Sequence, residues 1–182
     1  MPVYAYLILD SGFLVWFLPF VLTGWSRKSP ARRDARARWG IGLQTVGYAT
    51  LWLGPFWSRP LPHWRVAAEV LFLALGCLLS WTSAGTLGRH LRLDAALDTD
   101  HRLIRAGAYR FVRHPIYASM LCMLLANGAM VATPLRFALG LAFFLAGTEI
   151  RVHVEDALLA ERFGEEFQQY RRSTPAYVPL VR

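Results

Sequence analysis

Long apolar runs alternate along the chain with short, arginine-rich polar stretches. Trp39–Ser58 is 20 residues without a charge, Val70–Gly88 is 19 and Pro115–Leu135 is 21. A helix needs roughly 20 apolar residues to cross a bilayer, so each of these runs predicts a span. An earlier run, from about Val3 to Trp25, is interrupted by Asp10 and Ser11 and carries a kink-prone Pro19. Span two is expected from Trp39 to about Trp57, ending in a turn from Pro55 to Pro62. Span three is expected from near Val66 to near Thr82, with Glu69 in its first turn, close to the outer interface. Span four opens at Pro115 and reaches about Val131. After the turn Ala132-Thr133-Pro134 the chain returns to about Ile150, with only 12 charge-free residues, Phe137–Thr148. That length predicts a short or re-entrant helix packed on span four.

Beyond Ile150 the pattern turns amphipathic. Leu159, Phe163, Phe167 and Tyr170 share one helical face, Glu161, Arg162, Glu165 and Glu166 lie elsewhere, and Ser173-Thr174-Pro175 stops the run. The predicted fold is therefore all-α and integral to the membrane. It has about five transmembrane helices, a long cytoplasmic loop and a C-terminal amphipathic helix. It reads as one domain: three N-terminal spans over 1–82, a loop over 83–114, a helical hairpin over 115–150, and a cytoplasmic helix and tail over 151–182.

Composition agrees. Hydrophobic residues make up 55% and charged residues 18%, where soluble domains carry about a quarter charged; mean hydropathy is +0.31. Net charge is +8, and 19 of the 20 basic residues are arginine. Seventeen of the 20 fall on one side of the expected spans and three, Arg59, Arg65 and Arg136, on the other. The positive-inside rule then puts the N-terminus outside and the C-terminus in the cytoplasm, in the inner membrane of a bacterium or the endoplasmic reticulum of a eukaryote. No Lys or Arg precedes Arg27 and no small-residue cleavage site follows, so the first span is not expected to be a cleavable signal peptide. Arginine confined to loops between spans argues for contact with anionic membrane lipids and against a nucleic-acid partner. Cys77 and Cys122 lie in separate spans and read as small apolar residues. The five histidines show no metal-ligand spacing, so no metal is expected.

Two polar stretches carry candidate chemistry. The first, Gly107–Tyr117, reads GAYRFVRHPIY. Pro115 suits a first helical turn, whose free N–H groups and dipole favour a carboxylate or phosphate. Arg113 and His114 aim donors at the same place, and Gly107 permits a close backbone turn. Arg105 and Arg110 read better as anchors to head groups. The second stretch, Glu149–Asp156, reads EIRVHVED. Arg151 and Glu155 are four apart on one face and can pair, in the order less favourable for an isolated helix. Glu149 ends a membrane helix, where an ionisable group is a functional candidate.

Taken together, HRLIRAGAYRFVRHPIY and RVHVEDALLAERFGEEFQQY resemble the isoprenylcysteine carboxyl methyltransferase and phospholipid methyltransferase family. Its members are integral membrane enzymes that use S-adenosylmethionine. The resemblance covers roughly Leu87 to Pro179, about half the chain. It implies that His101, Arg102, Leu103, Ile104 and Tyr109 line the cofactor, together with His114, Pro115, Ile116 and Tyr117. It also implies that Glu155 holds the cofactor and that Arg151 faces the substrate. The chain departs at Ala108, where the family often has proline, and at Asp156, one methylene shorter than the usual glutamate. With Gly107, Arg113 and Asp156 these make the candidate cofactor set, and Arg151 and Glu149 the candidate catalytic pair.

The chemistry fits the donor. A helix N-terminus with Arg and His suits its carboxylate, an acid suits its ammonium or ribose, and tyrosines suit the adenine or sulfonium. The expected partner is a lipophilic or lipidated small molecule entering from the bilayer. Carboxyl O-methylation of an isoprenylcysteine-like group is preferred, because a carboxylate needs no general base. Phospholipid N-methylation would instead need Glu149 or His153 as base. Two alternatives stand beside these. One is a sterol-reductase-like enzyme using NADPH, whose members tend to carry Asn where this chain has Ile116; the other is a non-catalytic membrane scaffold.

Overall fold

The computed structural model describes residues 3–23, 32–54, 61–88, 91, 96–97 and 103–179. Among the described residues six α-helices carry the fold: α1 (Val3–Thr23), α2 (Ala37–Leu51), α3 (His63–Leu87), α4 (Pro115–Val131), α5 (Pro134–Phe163) and α6 (Glu165–Ser173). A two-residue antiparallel pairing joins β1 (Arg32–Arg33) to β2 (Ala96–Leu97). The chain is thus helical, with α1, α3 and α5 long and apolar enough to cross a membrane and α4 a shorter apolar helix.

Helix contacts set a bundle in which helices successive in the chain alternate in direction. Gly12 of α1 lies against Leu73 of α3, and the Trp81 indole donates to Val15 O (3.0 Å), so α1 and α3 run parallel. Leu79 packs with Tyr117 and Ala118, while Leu73 packs with Met123 and Ala126, so α3 and α4 run antiparallel. The closest approach is between α2 and α5. A Cβ on Gly40 would sit 2.6 Å from Gly147 O, and one on Gly47 would sit 2.7 Å from Gly140 O. Both helices carry these glycines seven residues apart, which keeps them on one seam of a slightly supercoiled pair. Gly47→Leu should therefore lower stability by about 1–3 kcal/mol through forced separation of two backbones. Gly42→Leu, at a position with nothing within 4 Å, should leave the thermal unfolding midpoint unchanged.

Three expectations are corrected. Helix α2 has 15 residues and stops at Leu51, short of Trp57. Gly54 at φ +80° turns the chain there, and the Arg136 guanidinium donates to Leu53 O, a cation set at the carbonyl end of the helix. Helix α3 begins at His63, directly after the extended Pro62, and continues past Thr82 to Leu87. The Thr82, Ser83 and Thr86 hydroxyls return to their own helix carbonyls, so these polar residues need not leave it. Glu69 consequently lies beyond the first turn, and its side chain is fully buried against the neighbouring helices.

The largest difference concerns α5. It runs unbroken through Ile150 to Phe163, 30 residues in all, and packs chiefly on α2 instead of α4. The i,i+4 pair Arg151–Glu155 lies just past the expected boundary, within the continuous helix. It ends at Gly164, whose φ of +52° suits glycine. That residue splits the expected amphipathic helix into the end of α5 and the separate α6. Glu165 and Glu166 open α6 while Arg171 and Arg172 close it, each complementing the helix dipole.

Candidate active site

The backbone brings the two polar stretches together through the C-terminal tail. Arg113 N–H donates to Pro175 O (2.9 Å) and His114 N–H to Ala176 O (2.8 Å), so residues 175–176 strap the segment that precedes α4. Upstream, the 3-10 turn Gly107–Arg110 puts Tyr109 in the interior, where Tyr109 O accepts from the Tyr170 hydroxyl of α6. Gly107 has φ +59°, and a Cβ there would lie 2.5 Å from Thr86 Oγ1. Pro115 is the first residue of α4 and is fully buried.

At the meeting of α4 and α5, His114 lies between two acids. Its Nε2 is 2.9 Å from Asp156 Oδ1 and its Nδ1 3.3 Å from Glu155 Oε2. The Tyr117 hydroxyl donates to Glu155 Oε1. Arg151 closes the group: its guanidinium lies over the Tyr117 ring at 4.8 Å, and Nη2 is 3.7 Å from Glu155 Oε1. Arg113 pairs with Asp156 at 3.0 Å and also donates to Thr174 O and Arg171 O.

Burial alone lowers the His114 pKa, but hydrogen bonds to Asp156 and Glu155 outweigh it and raise the value to about 9. His114 is thus an imidazolium at neutral pH. Its folded pKa lies above the unfolded value, so the stability it adds is complete below about 6.5 and is lost as pH rises through about 9. The thermal unfolding midpoint should therefore fall as pH is raised across that window. His114→Gln should flatten that part of the profile.

The structure brings together His114, Tyr117, Arg151, Glu155 and Asp156, with Arg113 and Pro115 at the edge. Arg113 and Asp156 are committed to protein partners, with side chains 8% and 7% exposed, whereas Glu155 retains 25%. Ile116 turns the other way, against Phe20, Ala84 and Leu91. Leu103 and Ile104 are half-buried; His101 and Arg102 lie outside the described residues. Glu149 is separated from Arg151 by its place on α5. It accepts from the Tyr177 hydroxyl (2.5 Å) and lines a cavity of about 260 Å³ with His153, Asp156 and Arg171.

One residue was missed by sequence reasoning. Gln44 of α2, 3% exposed, donates to Thr148 Oγ1 (2.9 Å) and accepts from Arg151 Nη1 (3.3 Å). The available signal was the seven-residue glycine spacing on both helices, which aligns Gln44 with the face of α5 that carries Thr148 and Arg151.

A helical membrane protein with a buried, charge-dense cluster where α4 begins is the class that this fold and site define. Residues 64–166 match the phospholipid methyltransferase family, and the chain belongs to that family. It is similar to protein-S-isoprenylcysteine O-methyltransferase of Schizosaccharomyces pombe, 33% identical over 117 residues, covering 60% of this chain and 48% of that protein. It is similar to protein-S-isoprenylcysteine O-methyltransferase B of Arabidopsis thaliana, 29% identical over 126 residues, covering 65% and 62%. It also resembles the cobalt-zinc-cadmium resistance protein CzcN of Cupriavidus metallidurans, 35% identical over 113 residues, covering 61% and 50%. The aligned part thus spans about half to just under two thirds of each of these relatives.

Proposed function

We propose that the protein is a membrane methyltransferase that uses S-adenosylmethionine to methylate the carboxylate of a lipophilic, isoprenylcysteine-like substrate. The observation that carries this reading is Arg151, a largely buried cation lying on Tyr117 and fixed by Gln44 and Glu155 at the packed seam of α2 and α5. The names of the two O-methyltransferase relatives support the same reaction.

The residues present fit the donor. Glu155 is the acid with exposed surface left to meet an ammonium or ribose hydroxyls. Tyr109, His114, Pro115 and Tyr117 would complete that wall, with Leu103 and Ile104 beside it. When bound, S-adenosylmethionine supplies an electrophilic methyl on a sulfonium.

Arg151 binds the acceptor carboxylate and orients one oxygen, which is positional work and needs no proton transfer. Tyr117 holds the guanidinium plane from one side, and Gln44 fixes its rotation from α2. Helix packing around the cluster excludes water, which strengthens the Arg151–carboxylate interaction. An amine acceptor would require a base, and Glu149, the candidate for that task, faces Tyr177 and the tail. This separation favours the carboxylate over phospholipid N-methylation.

The proposed topology takes α1 to α5 across or into the bilayer, N-terminus outside, with the cluster on the cytoplasmic side. The alternation of helix directions and the lopsided arginine distribution support it.

The test is transfer of labelled methyl from S-adenosylmethionine to S-farnesylcysteine in vesicles containing the purified protein. Label in a base-labile ester is expected. Label in an amine head group of the vesicle lipids would replace the carboxylate reading by N-methylation.

A further inference from the structure

Glu69 lies within the apolar bundle and takes no part in the cluster around Arg151. Its side chain is fully buried, and neither carboxyl oxygen has a hydrogen-bond partner among the described residues. An ionised carboxylate left unpaired in such surroundings costs many kcal/mol, so the group must either meet a cation or hold a proton.

Among the described residues the cations within reach are few. Helix α3 packs on α1 and α4, and it meets the 3-10 turn with Arg110 only at its far end, by Thr86. The titratable groups of α1 are Tyr4, Tyr6 and Asp10, and those of α4 are Tyr117 and Cys122, so neither helix offers Lys, Arg or His. Tyr48 of α2, which packs beside Leu73, gives its hydroxyl hydrogen to Met120 O (2.6 Å). On α3 itself, Arg65 has the i−4 spacing that allows a pair. Its guanidinium instead lies over the Trp64 ring at 5.4 Å. A metal has no second ligand set there, since no group of three or more His, Cys, Asp or Glu stands together among the described residues.

By antiparallel register, Glu69 falls one turn from the Leu73–Met123–Ala126 contact, at the level of Asn127. Asn127 is buried and gives its amide hydrogen back to Met123 O (2.8 Å). This level of the bundle therefore contains polar groups without a balancing charge.

We propose that Glu69 is a proton-binding site: a carboxylic acid kept neutral between α1, α3 and α4, whose ligand is a proton and not a metal or an ammonium group. A neutral carboxyl keeps an O–H donor and a carbonyl acceptor inside the membrane domain, and ionising it requires the three helices to open. The site is independent of the proposed methyl transfer.

Infrared difference spectra between wild-type protein and Glu69→Gln, both in vesicles at neutral pH, test this directly. Because the other carboxyls cancel, the expected difference is loss of the carbonyl stretch of a protonated acid. Loss of the paired carboxylate stretches instead would overturn the proposal. Stability gives a second readout. Glu69→Gln, a neutral isostere, should unfold at the same temperature as wild type or higher, and Arg65→Ala should not change the infrared difference. A drop in unfolding temperature shared by Glu69→Gln and Arg65→Ala would show an Arg65–Glu69 ion pair and contradict the proton site.

Discussion

Arg151→Leu is expected to lower methyl transfer by about 10²-fold, the scale of losing the correct placement of a reacting group. Leucine keeps apolar bulk at the α2–α5 seam, where Gly40 lies against the Arg151 side chain, so helix packing should survive. What disappears is the cation that would hold the acceptor. Affinity for S-adenosylhomocysteine should change little, because Arg151 is assigned to the substrate side. Arg151→Lys should recover only part of the activity. A lysine keeps the charge but cannot lie flat on Tyr117 while also engaging Gln44 and Glu155. Steady-state rates with S-farnesylcysteine, beside cofactor titration, separate the two effects. Equal loss of activity and cofactor affinity would move Arg151 to the cofactor side.

Glu155→Ala is expected to have the second large effect, on stability and cofactor binding together. Glu155 receives the Tyr117 hydroxyl and faces both His114 and Arg151, so its removal leaves two cations with one fewer counter-charge. Breaking such a buried pair typically costs about 3–5 kcal/mol, enough to lower the unfolding midpoint by many degrees. Glu155→Gln keeps the shape and a hydrogen-bond acceptor while removing the charge. It should fold better than the alanine variant yet still bind S-adenosylhomocysteine at least tenfold more weakly. Thermal unfolding and calorimetric titration of both variants check this. A glutamine variant with wild-type affinity would remove Glu155 from the cofactor wall.

How much of this was legible in the sequence differs by element. The apolar runs located α1, α3 and α4 well, because composition over some 20 residues overrides local detail. The helix following Pro134 was misjudged because its 12 charge-free residues were treated as the whole element. The helix runs on through the charged residues, which have no proline or glycine among them before Gly164 to stop it. The position of Glu69 within its helix was misjudged as well: α3 starts at His63, directly after Pro62, so Glu69 falls in the second turn and not the first.

In the site, the residues flanking Pro115 and those at Arg151 and Glu155 were readable as two separate motifs. Their convergence was not. It depends on the strap formed by Pro175 and Ala176 and on the glycine seam between α2 and α5, both long-range features. Gln44 illustrates the point. A lone amide in an apolar span carries no motif, and its link to Arg151 appears only once the register of the two helices is known. The roles of Arg113 and Asp156 also became clear only in three dimensions, where they brace His114 and the tail.

Calorimetric titration of the purified protein with S-adenosylhomocysteine tests the central claim most directly. Saturable 1:1 binding by the wild type, clearly weakened in Glu155→Gln, is the predicted result. No binding of S-adenosylhomocysteine, with NADPH protecting the protein against heat unfolding instead, would contradict it.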